Sequence, residues 1–168
     1  LFRDKRIVLY DTLIEQMNQS EIVAVLGHEL GHWLHGDIMR RLILSQSQML
    51  LMFWCFSWLR ADASLYRAFG IKGMPLVIGL MLFQNLFAPI SLVFQLLSSM
   101  QSQAHEFAAD AFAHNLGYGP EIQSALGKLY LKNKALLEPD WLNSCLRHSH
   151  PSPVQRLRAL QELMVKTQ

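Results

Sequence analysis

The sequence predicts a mostly α-helical fold embedded in a membrane, and three observations carry that prediction. The 168-residue chain has only 17% charged residues against 51% hydrophobic ones, and its mean hydropathy of +0.16 is high for a water-facing globule. It contains two long stretches without a charged side chain. Elsewhere its apolar residues recur at three- and four-residue spacing, the period of a helix with one buried face. One domain, residues 1–168, accommodates all of this.

The elements follow in order. After a charged start (Arg3, Asp4, Lys5, Arg6), Ile7 to Tyr10 is a short β-prone run that reads as a strand or the end of a hairpin. Ser20 is the expected N-cap of a first long helix, with Glu21 in its first turn. Ile22, Val25, Leu26, Leu30 and Trp33 give that helix its apolar face. It is expected to run on well beyond His32, because no Gly-Pro pair interrupts it before Gly70. Leu42 to Leu59 is long enough to cross a bilayer. Its Ser45, Gln46, Ser47 and Gln48 should face protein or water rather than lipid. Gly73 to Ala104 carries no ionisable side chain, with Pro75 starting its helix and Pro89 kinking it. The expected spans are therefore about 42–59 and 74–100. Arg60, Asp62, Arg67 and Lys72 form a polar loop between them, and Arg40 and Arg41 flank the far side, so the positive charges do not assign an orientation. A helix from Gln103 to about Leu116 stops at Gly117-Tyr118-Gly119-Pro120. Another spans about Glu121 to Leu137 and ends at Pro139. Ser152-Pro153-Val154-Gln155 is a capping box opening a last helix, through Arg156 to Met164.

Composition narrows the function classes. A net charge of +2 with scattered basic residues gives no footprint for nucleic acid. Cys55 and Cys145 lack paired spacing, so they imply no disulfide framework, and Cys55 in its apolar run reads as a buried thiol. The chain opens at Leu1 with neither a Met nor a leader sequence, and reads as part of a longer protein lacking N-terminal material.

The chemistry lies in Gly27-His28-Glu29-Leu30-Gly31-His32, which contains H-E-x-x-H. Residues four apart on a helix are offset by about 40°, so both imidazoles project to one side and can grip one ion. Glu29 lies about 60° from His32. From there it can reach a water at the ion rather than the ion itself, the position of a general base in metal-assisted hydrolysis. A catalytic zinc wants three protein ligands and an open position. A third histidine in the metzincin spacing would need Gly at position 35 and His at position 38; the chain has His35 and Ile38 there. The remaining route is Glu106, placed directly after the second apolar run, because two spans bring the chain back to the side it left. Asp110, one turn later on the same face, can accept a proton from the outer nitrogen of a ligating histidine. His105 and His114 read as non-ligands. His150 and Arg156, at the capped last helix, either steady an oxyanion or substrate carboxylate or simply form a solvated helix entrance.

These motifs in this order resemble the CAAX prenyl protease type 1 family, multi-spanning zinc endopeptidases of the endoplasmic reticulum and inner nuclear envelope. The resemblance rests on Asp11-Thr12-Leu13, on Val25 to Trp33, on Glu106-Phe107-Ala108-Ala109-Asp110 with Phe112-Ala113, and on Ser149-His150-Pro151 with Arg156-Leu157. It implies one Zn2+ held by His28, His32 and Glu106, with Glu29 as base and Asp110 as the partner behind the metal ligands. It also implies that His150 and Arg156 line the substrate site. The implied partners are the lipid bilayer and a prenylated C-a-a-X protein that loses its C-terminal tripeptide, and the implied place is the endoplasmic reticulum membrane. The helices of the family enclose a water-filled chamber. This chain departs from the pattern by lacking the N-terminal spans and the polar insertion before the H-E-x-x-H helix, and by having Pro151-Ser152-Pro153 after the histidine. A quality-control membrane peptidase acting on misfolded membrane proteins, and a non-catalytic membrane module in which zinc only fixes helix packing, are the alternatives.

Overall fold

The computed structural model describes residues 6–133 and 140–167, so the charged positions Arg3, Asp4 and Lys5 and the expected helix end at Leu137 and Pro139 lie outside it. Among the described residues there is no strand. Ile7 to Tyr10 has no regular secondary structure, so the expected strand is not formed.

A single-turn helix α1 (Asp11–Ile14) leads into α2 (Gln19–His35). The cap of α2 is Asn18 rather than Ser20. The Asn18 side chain accepts from the Glu21 backbone N–H and the Glu21 carboxylate accepts from the Asn18 backbone N–H, both at 2.8 Å. Ser20 only donates its hydroxyl to Asn18 Oδ1. A reciprocal box satisfies two helix-end donors, which a Ser20 cap would leave open. Nor does α2 run on. Gly36 takes the left-handed conformation (φ 68°) and its N–H returns to the carbonyl of Trp33. A glycine adopts this geometry without steric cost, and α3 (Asp37–Leu59) starts at the next residue.

The chain forms two compact units. The unit of residues 39–98 holds most of α3, a short α4 (Ala63–Ala68) and the first part of α5 (Leu76–Ala113). The expected polar loop thus contains a helix, because Asp62 caps it through the Ser64 N–H. Pro75 caps α5 by accepting from Gly79, and α5 stays helical through Pro89. Phe56 of α3 meets Phe83 of α5, which in turn meets Phe87. Tyr66 is buried against Gly79, where any β-carbon would overlap its hydroxyl. Many of the other apolar side chains face outward: Trp58 is 75% and Val77 70% exposed. Both helices are long and apolar enough to cross a bilayer, and hydrocarbon is the environment in which such a surface is stable. The chain is built as an integral membrane protein. Ser45 and Ser47 satisfy their hydroxyls on their own helix, at the Leu42 and Ile43 carbonyls.

The other unit comprises residues up to 38 and from 99 onward. Here α5 ends at Ala113 and a π-type turn (His114–Tyr118) bends at Gly117 (φ 92°) into α6 (Gly119–Asn133). Helices α7 (Trp141–Arg147) and α8 (Pro153–Thr167) follow. The expected capping box opens α8: the Ser152 hydroxyl accepts from the Gln155 N–H and the Gln155 side chain from the Ser152 N–H. The core is small residues and aliphatics of α2, α5, α6 and α8, namely Ala24, Ala113, Ile122, Leu126 and Leu160. Glu21 is tied down at its edge. Hydrogen bonds from Lys128 and then Ser124 lower its pKa from the usual 4.5 to about 2.

Candidate metal centre

Two helices bring the site together by approaching unusually closely. Gly31 sits between His28 and His32 on α2, and Ala109 between Glu106 and Asp110 on α5. A β-carbon on Gly31 would stand 2.9 Å from Ala109 Cα, well inside ordinary contact. The missing side chain is what lets the histidines reach across to the carboxylates.

His28 Nε2 and His32 Nε2 are 3.2 Å apart, with their rings nearly perpendicular. Glu106 offers one oxygen 3.6 Å from His28 Nε2 and the other 3.6 Å from His32 Nε2. Among the described residues this is the group whose donor atoms, all within 4.8 Å of one another, could hold a metal ion. Four-coordinate bonds of 2.0–2.1 Å place neighbouring ligand atoms about 3.3 Å apart, close to these spacings.

The far side of each ring explains why those nitrogens face each other. His28 Nδ1 lies 2.9 Å from Asp110 Oδ1, and His32 Nδ1 lies 2.7 Å from Asp37 Oδ2. Carboxylates there hold the ring proton on Nδ1 and leave the lone pair on Nε2. In that tautomer the two facing Nε2 lone pairs are placed for one cation to bridge. Charge points the same way. Glu106, Asp110 and Asp37 are buried, and Arg156 is the buried cation beside them. With neutral imidazoles, two negative charges remain unmatched, which a divalent metal would balance. The residues fit such an ion.

Arg156 is not at a solvated helix entrance. It is 6% exposed and donates from Nε and Nη2 to the two Asp110 oxygens at 2.8 and 2.6 Å. Its Nη1 lies 2.9 Å from Glu106 Oε2. Burial works to lower its pKa, but the Asp110 carboxylate outweighs this and the guanidinium ends above its ordinary value. Arg156 thus orients two carboxylates of the site. His150, by contrast, keeps a largely exposed ring with Nδ1 2.8 Å from Glu106 Oε1. The segment before it is fastened to α5 by Gln103, whose amide donates to the carbonyls of His148 and Ser144. Glu29 is half-buried and borders a cavity of about 350 Å³ whose walls include Val8, Tyr10, Leu13, Val25 and Trp33. His35 stays off the site, with Nδ1 at the Gly31 carbonyl.

Two neighbours of this group were not placed by sequence reasoning: Asp37 was not singled out, and His105 was read only as a non-ligand. Asp37 lies five residues from His32, across a helix break, so no single-helix periodicity pairs them. The Gly36-Asp37 step, a C-terminal glycine followed by a first-turn acid, was the available signal. His105 points roughly 100° away from Glu106 around α5, and its Nδ1 faces Asp37 Oδ1 at 3.2 Å.

Residues 1–164 match the model of peptidase family M48. The chain belongs to that family. It is 41% identical to the CAAX prenyl protease 1 homolog of Oryza sativa subsp. japonica, covering 96% of this chain and 38% of that protein. Against CAAX prenyl protease 1 of Saccharomyces cerevisiae it is 37% identical, covering 98% and 40%. The human CAAX prenyl protease 1 homolog is 34% identical over 96% of this chain and 42% of its own length. The crystal structure of S. mikatae Ste24p superposes with a TM-score of 0.80 at 39% identity, over 95% of this chain and 39% of that one. The M48 chain therefore spans about two-fifths of the length of these relatives. A metal cofactor accords with the family and with the donor set above.

Proposed function

We propose that this M48 chain carries the metal site of a zinc metalloendopeptidase that removes the C-terminal tripeptide from prenylated C-a-a-X proteins at the endoplasmic reticulum membrane. The observation that supports it most is the convergence of His28 Nε2, His32 Nε2 and a Glu106 oxygen within 4.8 Å, with a carboxylate behind each imidazole. The similarity to CAAX prenyl proteases supports the substrate class.

Bound there, Zn2+ supplies a Lewis acid that polarises the scissile carbonyl and acidifies a water. The protein does the rest. Asp110 and Asp37 keep His28 and His32 in the tautomer whose Nε2 can ligate, and Arg156 holds Glu106 and Asp110 in place. The Glu29 carboxylate, one residue along from His28, takes the proton of the attacking water and delivers it to the leaving amine. His150 as the imidazolium, with its Nδ1–H on Glu106, offers its Nε2–H to the oxyanion of the tetrahedral intermediate. The apolar walls of the cavity beside Glu29 suit the aliphatic residues of a C-a-a-X tail. Arg156 serves the site from behind rather than touching the substrate.

Glu29→Gln in the full-length protein should retain stoichiometric zinc and lose cleavage of a farnesylated C-a-a-X peptide by at least about a thousandfold. Appreciable turnover by that variant removes Glu29 as the base. A wild type that cuts a denatured membrane protein but not the farnesylated peptide would favour the quality-control reading. One that holds zinc and cuts neither would favour a non-catalytic module.

A further inference from the structure

We infer that Asp37 and His105 form a positioning pair for the metal centre, the Asp37 carboxylate fixing the His32 imidazole and the His105 ring fixing that carboxylate. The inference rests on the reading that His28, His32 and Glu106 hold a metal. A ligating imidazole needs its outer nitrogen engaged, both to set the tautomer and to set the ring's rotation. His28 has this from Asp110, and Asp110 is in turn gripped by Arg156 through two hydrogen bonds. The outer nitrogen of His32 is met instead by Asp37 at 2.7 Å.

Asp37 is itself a demanding group, since it is only 2% exposed and an uncompensated carboxylate is costly at such a position. Two features compensate it. It lies in the first turn of α3, where the free N–H groups and the helix dipole favour negative charge. Its second oxygen stands 3.2 Å from the Nδ1 of the buried His105 ring, an approach that is close without being aligned as a hydrogen bond. The two imidazoles of the H-E-x-x-H motif are thus each backed by a carboxylate, and each carboxylate by a further nitrogen base. The second chain of contacts also has a mechanical role. Asp37 follows the break at Gly36 and His105 immediately precedes Glu106, so the pair joins the end of α2 to α5 at the level of the ligands. Neither residue touches the ion; both act through His32.

The test is zinc affinity of the full-length purified protein by chelator competition, together with the visible absorption of the Co2+-substituted form, which reports ligand geometry independently of activity. Asp37→Asn should weaken zinc binding about 10- to 100-fold and shift the Co2+ bands. His105→Leu should weaken it about three- to tenfold, and His105→Asn, which keeps an N–H donor near the position of Nδ1, should recover most of that loss. If Asp37→Asn does not fold, the two His105 variants decide the matter alone. Wild-type affinity and an unshifted Co2+ spectrum in Asp37→Asn, or equal affinities for His105→Leu and His105→Asn, would overturn the inference. Failure of the wild type to bind zinc would instead overturn the reading on which it rests.

Discussion

Adding one methyl group at Gly31 should damage the metal site more than it damages the fold. In Gly31→Ala the new β-carbon would meet Ala109 Cα at 2.9 Å, Phe112 Cβ at 3.2 Å and Ala109 Cβ at 3.3 Å. The nearest of these is backbone, which cannot swing aside, and relaxed carbon contacts need about 3.5–4.0 Å. Helices α2 and α5 must therefore part by roughly 0.6–1 Å at this level. Overpacking of this kind costs about 1–3 kcal/mol, and the better helix propensity of alanine returns about 1 kcal/mol, so the net loss of stability is about 0–2 kcal/mol. The ligands fare worse. His28 and His32 travel with α2 and Glu106 with α5, so their 3.6 Å spacings widen beyond 4 Å by the same ~0.6–1 Å, against a tolerance of about 0.2 Å in each metal bond. Zinc affinity measured by chelator competition should fall at least about tenfold, while the metal-free protein melts within a few degrees of wild type. Gly27→Ala is the control, because its nearest neighbour is the end of the Leu116 side chain at 3.4 Å. Gly31→Ala binding zinc as tightly as Gly27→Ala would refute the claim that close helix approach builds the site.

Three more outcomes are expected. Gly79→Ala should lower thermal stability by about 1–3 kcal/mol by forcing out the buried Tyr66 hydroxyl, and Tyr66→Phe in the same chain should restore part of it; an unchanged melting curve for the single variant counts against that packing. Glu21 has a folded pKa of about 2 against the usual 4.5, so its ionised form stabilises the fold above pH 4.5 and that contribution is lost as pH falls through about 2. Glu21→Gln should accordingly cost about 1–2 kcal/mol at neutral pH, after allowance for solvent screening at the half-exposed Lys128, with the difference closing toward pH 2 in denaturant titrations. Arg156→Met leaves Glu106 and Asp110 without their buried counter-charge and should destabilise the metal-free protein by about 3–5 kcal/mol; a loss confined to catalysis, with normal stability, would instead make Arg156 a substrate contact.

Much of this protein was determined by local rules. The two apolar stretches became the cores of α3 and α5, because length without charge leaves few other structures for a chain to adopt in hydrocarbon. The four-residue spacing of His28 and His32 put both rings on one side of a helix, and Ser152 with Gln155 capped α8 as their spacing required. Each of these depends on neighbours within about one helical turn. The tertiary structure alone decided the rest. Asp37, placed by the break at Gly36, came to stand beside His105 of α5, 68 residues away in the chain, only when the helices packed. Arg156 left solvent for a buried grip on Asp110, 46 residues away in the chain. An arginine or an aspartate carries the same chemistry exposed or buried, and which of the two it becomes depends on contacts that exist only once distant helices have packed.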